Sequence, residues 1–166
     1  GNKIGYQVVE HRTVYTAYDA AATMRVPLEK ITKWLLVKFD KDFGIAIVTA
    51  NQNIDLKKLA KVAKSKKADL PKENVMKTKF NITPGAMSAF GSLYGIPVYM
   101  DKKLAGQKEA IFSAGSFTES LNVKIKDFIG LEKPVIGVFG APKKVKPPVS
   151  LKKIKKQPKK KGGKKK

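Results

Sequence analysis

Three short segments hold the residues whose types and spacing could do chemistry. Lys33 lies inside the apolar, strand-like run ITKWLLV, so its ammonium must face either solvent or a cavity. On an edge strand such a lysine only guards against aggregation, whereas in a pocket it would bind an anion or stabilise an oxyanion. The glycines of residues 85–91 (GAMSAFG) would let backbone N–H groups approach a ligand closely. Residues 114–116 (AGS) form a short segment of small residues that separates two strand-like runs. Each of these two loops would be either a pocket wall or a plain turn, and spacing alone leaves both open.

Composition removes most other catalytic designs. The chain of 166 residues has no cysteine and a single histidine, which excludes thiolate nucleophiles, disulfides and a zinc site built on these ligands. Walker-type, G-x-G-x-x-G, H-E-x-x-H and G-x-S-x-G motifs are also absent from the sequence. A serine–histidine triad would have to use His11, and no spacing supports one. We therefore expect His11, at the end of a strand, to be structural rather than a general base, and we expect no metal and no cofactor.

Positive charge is concentrated at the C-terminal end of the chain. The formal net charge is +22, and residues 142–166 contribute 13 lysines and no acidic residue. This tail cannot bury enough surface to offset its chain entropy, so it is expected to be either a disordered, solubilising segment or an electrostatic arm for RNA. The lysines singled out for RNA binding are Lys152, Lys153, Lys155, Lys156, Lys159, Lys160 and Lys161.

The same composition bears on where the protein acts. No apolar run reaches the roughly 18 residues of a membrane span, so no membrane partner is expected. The lack of cysteine favours a reducing, cytoplasmic location.

Hydrophobic patterning predicts one mixed α/β domain over residues 1–141. Strand-like runs begin at Tyr6 and at Ile31, and the second is followed by residues 44–50 as the other half of a hairpin. Thr16 and Asp55 are expected to cap helices. Because further strand-like runs occur in neighbouring pairs as well as between helices, we predict a single twisted, mixed β-sheet with flanking helices.

In their order along the chain, these segments resemble the YbaK/prolyl-tRNA synthetase-associated domain family of aminoacyl-tRNA deacylases. The matching pieces are VVEH ending at His11, T-A-x-x-A-A beginning at Thr16, ITKWLLVK around Lys33, the loop GAMSAFG with the following IPVYMD, and AGSFTESLNV. No single piece is specific, whereas the ordered set is. The resemblance spans about residues 6–131 and leaves the tail, residues 142–166, outside.

The resemblance implies a twisted sheet around one central pocket and hydrolysis of the ester of mischarged tRNA. By position, Lys33 would bind the 3′ end of the tRNA and the charge near the ester. The family's G-x-x-x-P loop would run from Gly85 to Ala89, with alanine in place of the usual proline, and would position the aminoacyl carbonyl. The implied substrate-binding positions are Ala86, Met87, Ser88, Phe90, Gly91, Gly115 and Ser116.

Together these features favour an enzyme that deacylates mischarged aminoacyl-tRNA. Its ester is already activated, so a lysine, backbone donors and a positioned water would suffice without a cysteine, a triad or a metal. The expected partner is tRNA, with an aminoacyl-tRNA synthetase or ribosomal RNA as further candidates. The alternative is a non-catalytic RNA-binding protein on the same scaffold, docked on ribosomal RNA or a synthetase complex through its tail. The alanine at Ala89 and the bulky Trp34 beside the lysine favour that alternative.

A further expectation concerns the direction of the lysine side chain. Side chains alternate along a strand, so Thr32 and Trp34 should share one face of the sheet and Lys33 the other. We expect Lys33 to point into a cavity walled by residues 85–89 and 115–116, since a lone lysine on an inner face is costly unless it meets an anion or lines a wet pocket.

Overall fold

The computed structural model describes residues 5–83 and 87–143. Within these ranges the chain forms ten strands and five α-helices, with some strands consecutive along the sequence and others separated by a helix. The strands are β1 (Tyr6–Glu10), β2 (Thr32–Phe39), β3 (Asp42–Thr49), β4 (Gln52–Ile54), β5 (Ala68–Asp69), β6 (Val98–Asp101), β7 (Glu109–Ser113), β8 (Glu119–Lys124), β9 (Val135–Gly137) and β10 (Gly140–Pro142). The helices are α1 (Ala17–Met24), α2 (Leu56–Val62), α3 (Asn74–Phe80), α4 (Lys102–Ala105) and α5 (Ile125–Glu132).

The central sheet has five strands in the order β5-β2-β3-β6-β9. The strands β2 and β3 form the antiparallel hairpin that the sequence predicts, with Lys33 opposite Val48. The strands β6 and β9 add in parallel, which is possible because helical connections carry the chain back to the same end of the sheet. The predicted mixed α/β class is therefore confirmed.

A second sheet runs beside the first and differs from the prediction in one respect. Its three strands are antiparallel in the order β1-β8-β7, and β4 pairs with β10 in a third, two-stranded group. The strands were expected in a single sheet, but β7 meets the β2 side of the central sheet at only one bridge, between Ile31 and Ile111. Next to this bridge, the two sheets are joined by a side-chain hydrogen bond, in which the Thr32 hydroxyl donates to the Ile111 carbonyl at 3.0 Å. Beyond this point the two sheets diverge and a gap opens between them.

Both faces of the β2–β3 hairpin are covered by core. One face carries Leu36 and joins the larger cluster around Phe112. The opposite face carries Val37 and packs with Phe139 and the apolar side of α2. With Trp34 packed against the first cluster, the alternation of side chains along β2 follows the expected pattern.

Helix α1 closes one side of the gap between the sheets. It begins as predicted at Thr16, whose hydroxyl accepts the backbone N–H of Asp19 at 3.1 Å. Its small residues Ala20 and Ala21 are buried in a cluster with Ile31, which holds the helix close to the start of β2. The predicted cap of the second helix is also confirmed, since Asp55 accepts two backbone N–H groups at the start of α2.

The last described strand is fixed by a buried carboxylate. Asp101, 3% exposed, accepts the backbone N–H groups of Phe139 at 3.0 Å and Gly140 at 2.8 Å. This places β10 beside β4, and the strand runs to Pro142, one residue past the expected domain boundary at residue 141. In the described part of the chain, no helix combines the length and the apolarity that crossing a membrane would require.

Candidate active site

A cavity of about 280 Å³ occupies the gap between the two sheets. Its walls come from the start of β2, the end of β7, helix α1 and the segment that joins β7 to β8. The lining residues are Val14, Tyr15, Thr16, Ala17, Ala20, Ile31, Thr32, Lys33, Trp34, Met87, Ile111, Phe112, Ser113, Ser116, Phe117 and Ser120. The floor is apolar and the rest is rich in hydroxyl groups, a lining suited to a small, partly polar ligand.

Lys33 lies in the wall of this cavity and is half-buried. Its Nζ donates a long hydrogen bond of 3.4 Å to the side-chain oxygen of Asn53 on β4. Burial, and then the like charge of Lys143, hold the pKa of Lys33 below its ordinary value, with Tyr18 acting in the opposite direction. An anion placed here would relieve both effects, because it would offset the lost hydration and the repulsion.

The second lysine approaches from the end of β10. Lys143 Nζ donates to the Tyr18 hydroxyl at 2.9 Å and lies over the same ring at 4.2 Å from its centroid. Within residues 5–83 and 87–143 the one salt bridge joins Lys67 to Asp69, far along the chain from either lysine. In the described structure, Lys33 and Lys143 thus make their polar contacts with neutral groups, and the charge between them is uncompensated.

The predicted loop reaches the cavity through one described residue. Met87 lines the cavity, whereas Gly85 and Ala86 lie outside the described residues. Ala89 is fully buried and belongs to the larger core cluster with Met87. Burial therefore fixes the backbone at the position where the family has proline.

The remaining loop residues are held by the core rather than facing the cavity. The Ser88 backbone N–H donates to the Tyr94 hydroxyl at 2.8 Å. The Phe90 ring packs on Phe128 at 5.3 Å between centroids. Gly91 is buried, and a Cβ there would collide with the Ile96 carbonyl oxygen, so glycine is required for close backbone packing.

The small-residue segment after β7 contributes Ser116 to the cavity but not Gly115. Gly115 has a φ of 76°, a left-handed conformation that favours glycine at the turn. The Ser116 hydroxyl accepts the backbone N–H of Thr118 at 3.1 Å, which fixes its position. Of the predicted site residues, the structure brings together Lys33, Met87 and Ser116.

A pair of side chains that the sequence analysis missed also belongs to this site. His11 Nε2 lies 2.9 Å from the Ser120 hydroxyl, and Ser120 lines the cavity. The two residues are 109 positions apart and meet only because β1 pairs with β8. Sequence spacing could not have predicted this contact. The sequence places His11 at the end of one predicted strand and Ser120 near the start of another, but it does not show that these two strands pair.

Exposed aromatic side chains stand at the rim of the cavity. Tyr15 and Phe117 are 75% and 44% exposed, and their rings contact each other with 5.2 Å between centroids. Exposed aromatic rings beside lysines are the usual platform for unpaired bases of a nucleic acid. The seven tail lysines predicted to bind RNA, Lys152 to Lys161, lie outside the described residues.

Comparison with known proteins identifies the family. Residues 11–131 match the family model of the aminoacyl-tRNA editing domain. The prolyl-tRNA editing protein ProX of Acetoanaerobium sticklandii is 32% identical over 111 residues, which cover 63% of this chain and 68% of that protein.

Solved structures show the same fold at low identity. A putative trans-editing enzyme for prolyl-tRNA synthetase superposes with a TM-score of 0.72 and 19% identity, covering 82% of this chain and 87% of that one. A hypothetical protein superposes with a TM-score of 0.74 and 14% identity, covering 82% and 92%. None of these relatives points to ribosomal RNA. With the family model matched from His11 to Leu131, across both sheets and the cavity between them, the chain belongs to the aminoacyl-tRNA editing domain family.

Proposed function

We propose that this protein hydrolyses the ester bond of mischarged aminoacyl-tRNA, acting in trans on tRNA released by a synthetase. The observation that carries the proposal is the cavity of about 280 Å³ with Lys33 in its wall. Membership of the editing-domain family supports it, as does similarity to a prolyl-tRNA editing protein.

The size and polarity of the cavity suit the aminoacylated 3′ end of a tRNA. A volume of about 280 Å³ accommodates an aminoacyl group, while the nucleotide that bears it would remain at the mouth. The apolar floor around Trp34 and Met87 would take an aliphatic side chain, and Ser116 would contact the polar part of the amino acid. Gly115 does not line the cavity, but the turn that it forms would position Ser116 in the cavity wall.

Electrostatics support the binding of the tRNA backbone at the mouth. Lys33 and Lys143 form a local excess of positive charge, and each phosphate that they neutralise releases counterions. The exposed rings of Tyr15 and Phe117 would stack against the terminal base. These contacts would bring the ester into the cavity carbonyl-first.

Catalysis requires stabilisation of the charge that develops on the ester carbonyl. We assign this role to the Lys33 ammonium together with backbone N–H groups of residues 85–89, the loop that follows from the family resemblance. A preorganised donor in a partly desolvated site stabilises the transition state far more strongly than the same donor in water, because no solvent has to reorganise as charge develops. No cofactor enters this mechanism.

Further contacts would lie outside the cavity. The lysine-rich residues 144–166 would add sequence-independent affinity for tRNA, and a synthetase partner would supply the mischarged substrate. Aminoacyl-tRNA of this kind is a cytoplasmic substrate, so we propose that the protein acts there.

Deacylation of a panel of tRNAs tests this function. Each tRNA is charged with a labelled non-cognate amino acid, including alanyl-, seryl- and cysteinyl-tRNA for proline, and release of the amino acid is followed with and without enzyme. We expect one or a few small aminoacyl groups to be released well above the spontaneous rate, while correctly charged prolyl-tRNA is spared. Release at the spontaneous rate for every member of a broad panel would contradict the proposal.

A further inference from the structure

The cavity contains a hydroxyl group that is already paired with a base. Ser120 Oγ lies 2.9 Å from Nε2 of His11, and Nδ1 of the same ring lies 2.8 Å from the backbone oxygen of Arg12. Because a carbonyl oxygen only accepts hydrogen bonds, Nδ1 carries a proton, and Nε2 of the neutral ring is left to accept from Ser120. A nucleophile, a base and a group that orients the base thus lie within hydrogen-bond reach of one another, which is the arrangement that activates a serine.

Strand pairing explains why these groups meet. In the β1–β8 ladder Val9 is opposite Ser120, so the side chain of His11, two residues further along, emerges on the same face beside it. The His11 backbone N–H donates to Thr118 at 2.9 Å, which extends the pairing and holds the ring in place. Ser120 is 7% exposed, so its hydroxyl is accessible chiefly through the cavity that it lines.

The other aliphatic hydroxyls of the cavity are engaged elsewhere. Thr32 donates to a backbone carbonyl, Thr16 caps helix α1, and Ser116 bonds within its own loop. Ser113 accepts a backbone N–H at 3.3 Å. Among the cavity hydroxyls in the described part of the chain, Ser120 is the one bonded to a side chain that can remove its proton.

We propose that Ser120 is a catalytic nucleophile and His11 its general base. This inference rests on the proposed function for the identity of the ester. Ser120 Oγ forms a bond to the ester carbonyl carbon while its proton passes to His11 Nε2. The bond between that carbon and the ribose oxygen then breaks, and the oxygen takes the proton from Nε2. The tRNA leaves with a free hydroxyl, and the aminoacyl group remains on Ser120 as an ester.

Water completes the cycle through the same two residues. His11 Nε2 takes a proton from water as the water oxygen attacks the acyl-serine carbonyl. The bond to Ser120 Oγ breaks, and Oγ recovers the proton from Nε2. The net reaction consumes one ester and one water and yields one amino acid and one tRNA, with no oxidant, metal or cofactor.

Covalent labelling tests the nucleophile without any tRNA. The wild type, Ser120→Ala, His11→Gln and Ser92→Ala are incubated with a small fluorophosphonate, and adducts are located by intact-mass and peptide mass spectrometry. Ser92 is the matched control, because its hydroxyl also donates to a side-chain acceptor, Glu132 at 2.6 Å, but lies outside the cavity. We expect one adduct on Ser120 in the wild type and in Ser92→Ala, none in Ser120→Ala, and labelling at least about 100-fold slower in His11→Gln.

A second variant guards against a folding defect in Ser120→Ala. The chain has no cysteine, so Ser120→Cys carries a single thiol at the same position and nearly the same volume. We expect it to be labelled by iodoacetamide in a reaction that His11→Gln slows when the two changes are combined. Equal rates with and without His11 would overturn the assignment of the base.

Comparison with tRNA deacylation separates this inference from the proposed function. If the wild type releases amino acid from mischarged tRNA and Ser120→Ala does so equally fast, the nucleophile assignment is wrong and the proposed function stands. If Ser120 is labelled but no mischarged tRNA is hydrolysed, the proposed function is wrong and the serine–histidine pair stands as an acyl-transfer site for another ester. An absence of labelling in the wild type would overturn the inference directly.

Discussion

Replacement of Lys33 by alanine removes the cation in the cavity wall and should slow deacylation by about 100-fold or more. An ammonium about 4 Å from a developing negative charge contributes about 4 kcal/mol at an effective dielectric constant near 20. Lys33 is half-buried, so solvent reduces this figure, and a factor of 100 corresponds to about 2.7 kcal/mol. The structure thus predicts a loss at the level of a single removed oxyanion donor.

Single-turnover kinetics on the best substrate of the tRNA panel measure this effect. Lys38→Ala is the matched control, since it removes the same charge from an exposed position further along the same strand. We expect Lys38→Ala to deacylate at the wild-type rate and Lys33→Arg to restore activity only in part, because a planar guanidinium cannot replace a compact ammonium.

The stability of the Lys33→Ala variant should change by less than about 1 kcal/mol, because the side chain makes one long hydrogen bond and belongs to none of the core clusters. A denaturant titration therefore distinguishes a lost catalytic group from a lost fold. If Lys33→Ala is folded and deacylates as fast as the wild type, the electrostatic role assigned to Lys33 is refuted.

Three other perturbations follow from contacts in the structure. Lys143→Gln removes the like charge that lowers the pKa of Lys33, so the basic limb of the pH–rate profile should move to higher pH; an unmoved limb would mean that Lys33 is not the titrating group. Asp101→Ala leaves the buried backbone N–H of Phe139 and the half-buried N–H of Gly140 without their acceptor and should lower the free energy of unfolding by about 2–4 kcal/mol in urea titrations, whereas a change below about 1 kcal/mol would show that water replaces the carboxylate. Truncation after Lys143 should weaken binding to all RNAs alike and reduce the slope of log affinity against log salt in filter-binding assays, and an unchanged slope would exclude residues 144–166 as an RNA arm.

Local patterns predicted the elements that depend on local physics. The hairpin of β2 and β3 followed from two β-rich runs around a polar turn, and the caps at Thr16 and Asp55 followed from side chains that accept backbone N–H groups. An isolated charge in an apolar strand has few stable environments, and this predicted a cavity at Lys33 with walls from residues 85–89 and 115–116. Lys33 is among the residues that line the cavity, whereas Met87 and Ser116 are the described members of those two segments that reach it.

Features that depend on long-range pairing were not predictable in this way. The division into separate sheets is decided by how far β7 follows the edge of the central sheet, and a single bridge at Ile111 ends that contact. The meeting of His11 with Ser120 depends on the register of β1 against β8, which neither strand specifies alone. The placement of Gly91 in the core was also missed, because glycine in a loop suggests ligand approach as readily as close backbone packing.

The most direct test of the account is the structure of the protein with a non-hydrolysable aminoacyl-adenosine analogue, in which an amide replaces the ester. We expect the aminoacyl group to occupy the cavity between β2 and β7, with the amide carbonyl within hydrogen-bond reach of Lys33 and facing Ser120. The adenine should lie at the rim, against Tyr15 or Phe117. An analogue bound elsewhere on the protein, with this cavity unoccupied, would contradict the central claim that the gap between the two sheets is the editing site.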